Sequence, residues 1–268
     1  MSEKFLHRDE APFSPAVWQM IDETVVGAAK AQMCGRKLLH TEGPFGLGLK
    51  SISTGDNEVT SQEGISAYAG CCTPLVMISS SFKVPARDIA AFESNGAPLS
   101  MAQAAQAAIK CARMEDTVVF NGSKELGTQG LLTAKGGGSH KIGNWQEVGK
   151  AADDVISGAT LLDKQGFVGP YVLALSPTLF ENLYRRYPDG DMTELEHIKQ
   201  IATGGIIKAN SLEKGGVMMQ TGKQFASIVL GQDLMTGFIG PEGTSYEFSI
   251  SETAALKLNR PEAVCVLK

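Results

Sequence analysis

The end of this chain alternates apolar and polar residues almost without a break. It reads Phe225-Ala-Ser-Ile-Val-Leu-Gly-Gln-Asp-Leu-Met-Thr-Gly-Phe238, then Tyr246-Glu-Phe-Ser-Ile-Ser-Glu-Thr253, and closes on Asn259-Arg-Pro-Glu-Ala-Val-Cys-Val-Leu267. A period of two sorts side chains onto the two faces of a strand, so this stretch predicts a sheet with a buried face. Such a sheet needs a cover. Met101, Ala104, Ala105, Ala108, Cys111, Ala112, Val118 and Val119 recur at helical spacing up to Asn121-Gly122. So many alanines on one stripe predict close packing against a sheet or another helix. Ser100 and Gln103, after Pro98, form a capping-box pattern at the start of that helix.

A second helix is predicted near the N-terminus, where Ser14 suits the N-cap and Pro15 the first helical position. Trp18, Ile21, Val25, Ala28, Ala29 and Gln32-Met33 share one stripe, and Gly35 ends the run. The stripe reads as core, with a docking groove as the sharper alternative. From Gly46 to Tyr68 a weak alternation (Leu47, Leu49, Ile52) is broken by Thr54-Gly-Asp-Asn57, which predicts a hairpin turning there. A two-stranded arm with so few apolar residues is unstable alone and needs a partner surface. Pro74 to Val84 reads as a strand and Pro85 to Glu93 as a helix. Gly136-Gly-Gly138 marks a joint and a domain boundary.

Beyond the joint the pattern is α/β. A helix is predicted from about Trp145 to Gln165, a strand over Tyr171–Leu175 and a helix over Pro177–Arg186. The turn Tyr187-Pro-Asp-Gly-Asp191 follows, then a helix over Thr193–Ala202 and a strand over Gly205–Lys208. Two segments of an outer fold, before Gly136 and after Phe225, thus flank an inserted module.

The 268 residues suffice for a sizeable core, and 43% hydrophobic with 20% charged residues is a globular, not a disordered, composition. A net charge of −5 provides no basic face for nucleic acid and no polybasic membrane patch. Five cysteines, at 34, 71, 72, 111 and 265, have neither metal-ligand nor disulfide-framework spacing, and reduced thiols in the cytoplasm are the simplest reading. The acidic N-terminus lacks the apolar core of a signal peptide. The longest uncharged run, Gly64 to Phe82, holds glycines, a proline and hydroxyl residues, which argues against a membrane span.

Catalytic patterns are scarce. The four histidines (7, 40, 140 and 197) show no metal-ligand spacing. Gly43-Pro-Phe-Gly-Leu-Gly48 precedes a strand-like segment and lacks a P-loop lysine. Ser80-Ser-Phe-Lys83 and Ser211-Leu-Glu-Lys214 match Ser-x-x-Lys without the companion motifs of acyl-enzymes. No nucleophile has a partnered base, so a free-standing hydrolase is disfavoured and no enzyme activity is expected.

The C-terminal blocks stand in order after Gly169-Pro-Tyr-Val-Leu-Ala-Leu175 with its helix ending near Tyr187-Pro188. Before both come Gln32-Met-Cys-Gly-Arg-Lys37 and Glu42-Gly-Pro44. In that order and spacing the chain resembles the family 1 shell proteins of encapsulin nanocompartments, also called linocin- or bacteriocin-like proteins, from about Phe5 to Leu267. The resemblance implies an α+β fold of the HK97 phage-capsid type, with P-domain, E-loop and A-domain. Residues 1–45 would hold the N-terminal helix and part of the P-domain, 46–72 the E-loop, and 73–138 the P-domain with its spine helix. Residues 139–224 would form the A-domain and 225–268 the C-terminal P-domain strands.

It further implies self-assembly into an icosahedral shell, by its length the smallest class (T=1, roughly 60 subunits), in the cytoplasm. The shell would enclose a cargo enzyme, an iron-oxidising ferritin-like protein or a dye-decolourising peroxidase, for iron storage or oxidative-stress defence. A phage or prophage major capsid protein is the alternative. Cargo would dock by a C-terminal targeting peptide on Ile21, Val25, Ala29, Arg36, His40 and Thr236. Alanine at 29 and histidine at 40 depart from the aromatic and acidic residues of relatives. Arg186, Tyr187, Asp189 and Asp191 would line a five-fold pore, a carboxylate ring attracting cations such as Fe²⁺; otherwise the aspartates only shape the Pro-Asp-Gly turn. Arg87 stands where flavin-binding relatives carry a stacking tryptophan, so no flavin or other cofactor is expected, nor a nucleic-acid or membrane partner.

Overall fold

The computed structural model describes residues 3–62, 65–188 and 190–268. After two short 3₁₀ turns the chain forms α1 (Pro15–Gln32), α2 (Gly35–Leu38) and β1 (His40–Glu42). A hairpin arm follows, β2 (Ser51–Gln62) and β3 (Ile65–Pro74), then β4 (Val76–Pro85), α3 (Ala86–Asn95) and the long α4 (Ala102–Asn121). The small strands β5 (Gly122–Ser123) and β6 (Thr128–Gln129) lead to β7 (Gly138–His140), α5 (Lys150–Lys164), β8 (Tyr171–Leu175) and α6 (Pro177–Asn182). Next come α7 (Glu194–Ile201), β9 (Gly205–Lys208) and β10 (Gly216–Gln220). Strands β11 (Ala226–Leu230), β12 (Met235–Glu242), β13 (Ser245–Leu258) and β14 (Val264–Leu267) complete the chain.

Strand β13 organises the outer fold. Its first residues pair antiparallel with β12 and with β4, and its end pairs with β11, which in turn holds β1. Phe248 and Ile250 face α4, whose alanine stripe (Ala104, Ala107, Ala108, Ala112) lies in the same core. Small side chains let the helix approach closely, and α1 packs on it in turn through Val17, Ile21, Val25 and Ala29, none more than 1% exposed. An aromatic group closes one end: Phe248 stacks on Phe82 with centroids 5.1 Å apart, and Trp18 meets it edge-on at 5.6 Å.

The second sheet, in the order β7-β14-β10-β8-β9, forms the inserted module. It is buried on both faces. Val172, Ala174, Val217 and Met219 face the core shared with Leu38, Val119, Phe120 and Ile228, while Leu173, Leu175 and Met218 face Val155, Ala159 and Leu162 of α5.

Several boundaries depart from expectation. The segment predicted to turn at 54–57 is continuous strand with an irregular register between Ser53 and Gly55; the strands run on to the pair Gln62 and Ile65. Helix α4 starts at Ala102 with Met101 at its N-cap, so the Ser100–Gln103 capping box does not form; the Gln103 side chain instead accepts from the Lys83 N–H at 3.4 Å. Helix α5 starts at Lys150, not Trp145, because Trp145 is buried and donates its indole N–H to Asp154 at 2.8 Å. Helix α6 ends at Asn182. The final strand, expected with the outer fold, crosses after Pro261 into the inserted module, antiparallel to β10 and parallel to β7.

Candidate functional site

Two places bear on the predicted site residues: a network behind the end of α1, and the loop between α6 and α7. In the first, Arg36 on α2 is the centre. Its guanidinium donates to Glu115 on α4 at 2.5 Å, to Glu252 on β13 at 2.9 Å and to Asp233, between β11 and β12, at 2.7 Å. Glu115 and Glu252 are wholly buried, whereas Asp233 is half exposed. Burial works against the arginine's charge, but hydrogen bonds and attraction from Glu115 and Asp233 outweigh it and raise its pKa above the ordinary value. Next to Glu115, Asp116 accepts backbone N–H groups of Cys34 and Gly35 at 2.8–3.0 Å, which fixes the link between α1 and α2. Burial raises the Asp116 pKa, and those two donors only partly oppose it.

A cavity of about 50 Å³, room for a small apolar group, opens above this network. It is lined by Val26, Ala29, Lys30, Met33, Arg36, Asp233 and Leu234. Of the residues predicted to form a cargo groove, it therefore gathers Ala29 and Arg36. Ile21, Val25 and Ala29 are at most 1% exposed and point into the α1–α4 interface, so their side chains are core. The reason is the alanine face of α4, which takes the whole stripe of α1. Thr236 is also buried, with its Oγ1 unpartnered, and His40 stands exposed at the start of β1, away from the cavity. The accessible rim is instead Val26, Lys30 and Asp233. Sequence reasoning missed Glu115 and Glu252, yet each leaves a signal. Glu115 continues the helical stripe of Ala104, Ala108 and Cys111, and Glu252 sits in the buried alternation of Phe248, Ile250, Ala254 and Leu256.

In the second place, the loop is pinned at both ends. The Tyr187 N–H donates to the Met192 carbonyl at 3.1 Å, and Arg186 bridges Thr193. Thr193 and Glu196 form a reciprocal capping box on α7, and Tyr187 Oη lies 2.7 Å from His197 Nδ1. Buried Glu194 accepts from the Gly149 N–H and from Arg185, which also donates to the Trp145 carbonyl. The tip is exposed: Asp191 is fully solvated, 3.9 Å from an Arg186 that is itself 71% exposed. Asp189, predicted with them, lies outside the described residues. Arg87 is exposed on α3. Among the described residues no group of His, Cys, Asp and Glu is arranged to hold a metal, and no helix is long and apolar enough to cross a membrane.

Residues 3–255 match the model of the Linocin_M18 family, described as an encapsulating protein for peroxidase. The chain belongs to this family of encapsulin shell proteins. It is 29% identical to the type 1 encapsulin shell protein EncA of Myxococcus xanthus over 276 residues, covering 98% of this chain and 96% of that protein. Among solved structures it resembles a virus-like particle from Pyrococcus furiosus (TM-score 0.74, 19% identity, 94% of this chain and 99% of that one). The capsid of the myovirus phage XM1 shares the fold at a TM-score of 0.57 and 12% identity over 85% of this chain and 88% of the other. The encapsulin shell is thus an HK97-like capsid fold, and the likeness to phage capsids is one of fold alone. Its role is structural and not enzymatic.

Proposed function

We propose that copies of this chain close into a cytoplasmic icosahedral shell of the smallest class (T=1, roughly 60 subunits) around an enzyme delivered by its own C-terminal peptide. The observation that carries assembly is the arm. Strands β2 and β3 pair with each other along their whole length, yet Ser53–Asp56 and Ser66–Gly70 are exposed, and Tyr68 is 66% accessible. A hairpin without a core is marginal in water, so a neighbouring subunit completes it. Purified alone, the chain should give uniform closed particles by negative-stain microscopy. Small monodisperse particles would refute the reading.

For cargo, the rim of the α1 cavity replaces the buried stripe as the docking face. A tag laid there meets Val26 and Leu234 with apolar side chains and Lys30 and Asp233 with polar ones. The enzyme inside would be a peroxidase or a ferritin-like iron oxidase; an acidic loop at a five-fold pore favours iron, which would enter as substrate. Arg186 beside Asp191 offsets part of that carboxylate's field, so entry depends on the balance of Arg186, Asp189 and Asp191. The shell itself would carry no flavin, since Arg87 presents a flexible cation where a stacking ring is required.

A further inference from the structure

Behind the docking rim, two buried carboxylates compete for one cation. Glu115 and Glu252 both bond Arg36, and among the described residues no second cation pairs with either. The other titratable groups facing them are Asp116 and Cys111 on α4 and Asp233 beside Arg36. Four acids and a thiol thus gather about a single guanidinium. Among the described residues, one oxygen of Glu252, Oε1, is buried without any donor. An ionised carboxylate leaves that oxygen unsatisfied, whereas a protonated one carries the missing hydrogen itself and donates it.

We propose that Glu252 keeps a proton at neutral pH and that releasing it loosens the Arg36 clasp, so that the wall of the α1 cavity opens as pH rises. The effect on cargo rests on the docking reading above; the proton itself does not. Arg36 and Asp233 belong both to the clasp and to the cavity wall, which is how a buried proton reaches the surface. The electrostatics agree. Burial first, then the charge of Glu115, pushes Glu252 up to about 9 against the attraction of Arg36, and a hydrogen bond with Glu115 raises it further. The Cys111 thiol, pushed up to about 11 by burial and by Glu252, stays neutral throughout.

The sign follows from linkage. Closed, Glu252 holds its proton up to about 9; opened to water, it titrates near the ordinary value of 4.5. Between those limits opening releases a proton, so the opening constant rises roughly tenfold per pH unit and levels off above the upper limit. The test is hydrogen exchange on assembled, empty shells between about pH 6 and 8.5, corrected for intrinsic exchange. In the wild type, protection of amides 33–39 and 231–236 should fall about tenfold per pH unit more steeply than in E252Q, which keeps a donor but cannot titrate. Asp116 remains in both and cancels. Equal slopes overturn the proposal. Should E252Q fail to assemble, infrared difference spectra of the wild-type shell decide: a protonated-carboxyl band lost between pH 7 and about 10 supports it, and no such band at pH 7 overturns it. A steep slope with cargo retained at high pH supports the proton release and refutes the docking reading instead.

Discussion

The α1–α4 interface and the β2–β3 arm are both built from long elements, yet only one is satisfied among the described residues. Helix α1 lies with four stripe residues at most 1% exposed on the alanines of α4. The arm pairs only strand to strand, and its described side chains stay mostly in water. The difference is the supply of partners: α4 offers a flat face at the right distance, while, among the described residues, 53–56 and 66–70 of the arm stay exposed. An amphipathic element with an internal partner is core, and one without is an interface. On that rule the docking face we propose moves from the stripe of α1 to its rim, and the arm is the element we propose to need another copy.

Substitutions in the two regions test the rule, the largest effect first. Ala29→Glu places an unpaired charge in the α1–α4 interface and should cost about 3–5 kcal/mol, abolishing folded shells in thermal unfolding and microscopy. Retained stability would mean that α1 is not held as core. Phe248→Ala removes the ring between Phe82 and Trp18 and should cost about 3–5 kcal/mol, measured as a fall in denaturation midpoint. In the inserted module Thr193→Ala breaks the capping box of α7 and should cost about 1 kcal/mol. Val26→Glu, on the rim, should change stability by less than about 0.5 kcal/mol while removing cargo on co-purification. Cargo retained by Val26→Glu shells would place the tag elsewhere. Arg186→Gln should speed cation uptake by a loaded shell, an effect that shrinks as salt screens it.

Much of this fold is legible because its elements are local. Strand β8 stands where the apolar run Tyr171–Leu175 predicts it, and α4 ends at Asn121 before Gly122 as its punctuation requires. What is not legible depends on partners far along the chain. Trp145 reads as helical until Asp154 captures its indole, and the last strand reads as part of the outer sheet until β10 offers an edge. The Thr54-Gly-Asp-Asn57 signal is overridden by strand pairing that absorbs it as an irregularity in register. Of the candidate site, the partners of Arg36 are what the sequence hides. Its acids come from α4, β13 and the β11–β12 connection, and only the fold brings them together.

The central claim is that the arm is unfinished in one chain and completed by the next. Replacing residues 55–70 with an Asn-Gly turn joins the strands at the pair Ser53 and Cys72 and leaves all three cores untouched. Electron microscopy of this variant beside the full chain is the direct measurement. Closed shells from the full chain, with folded but unassembled subunits from the variant, are the result the account predicts. Intact shells formed without the arm would contradict it.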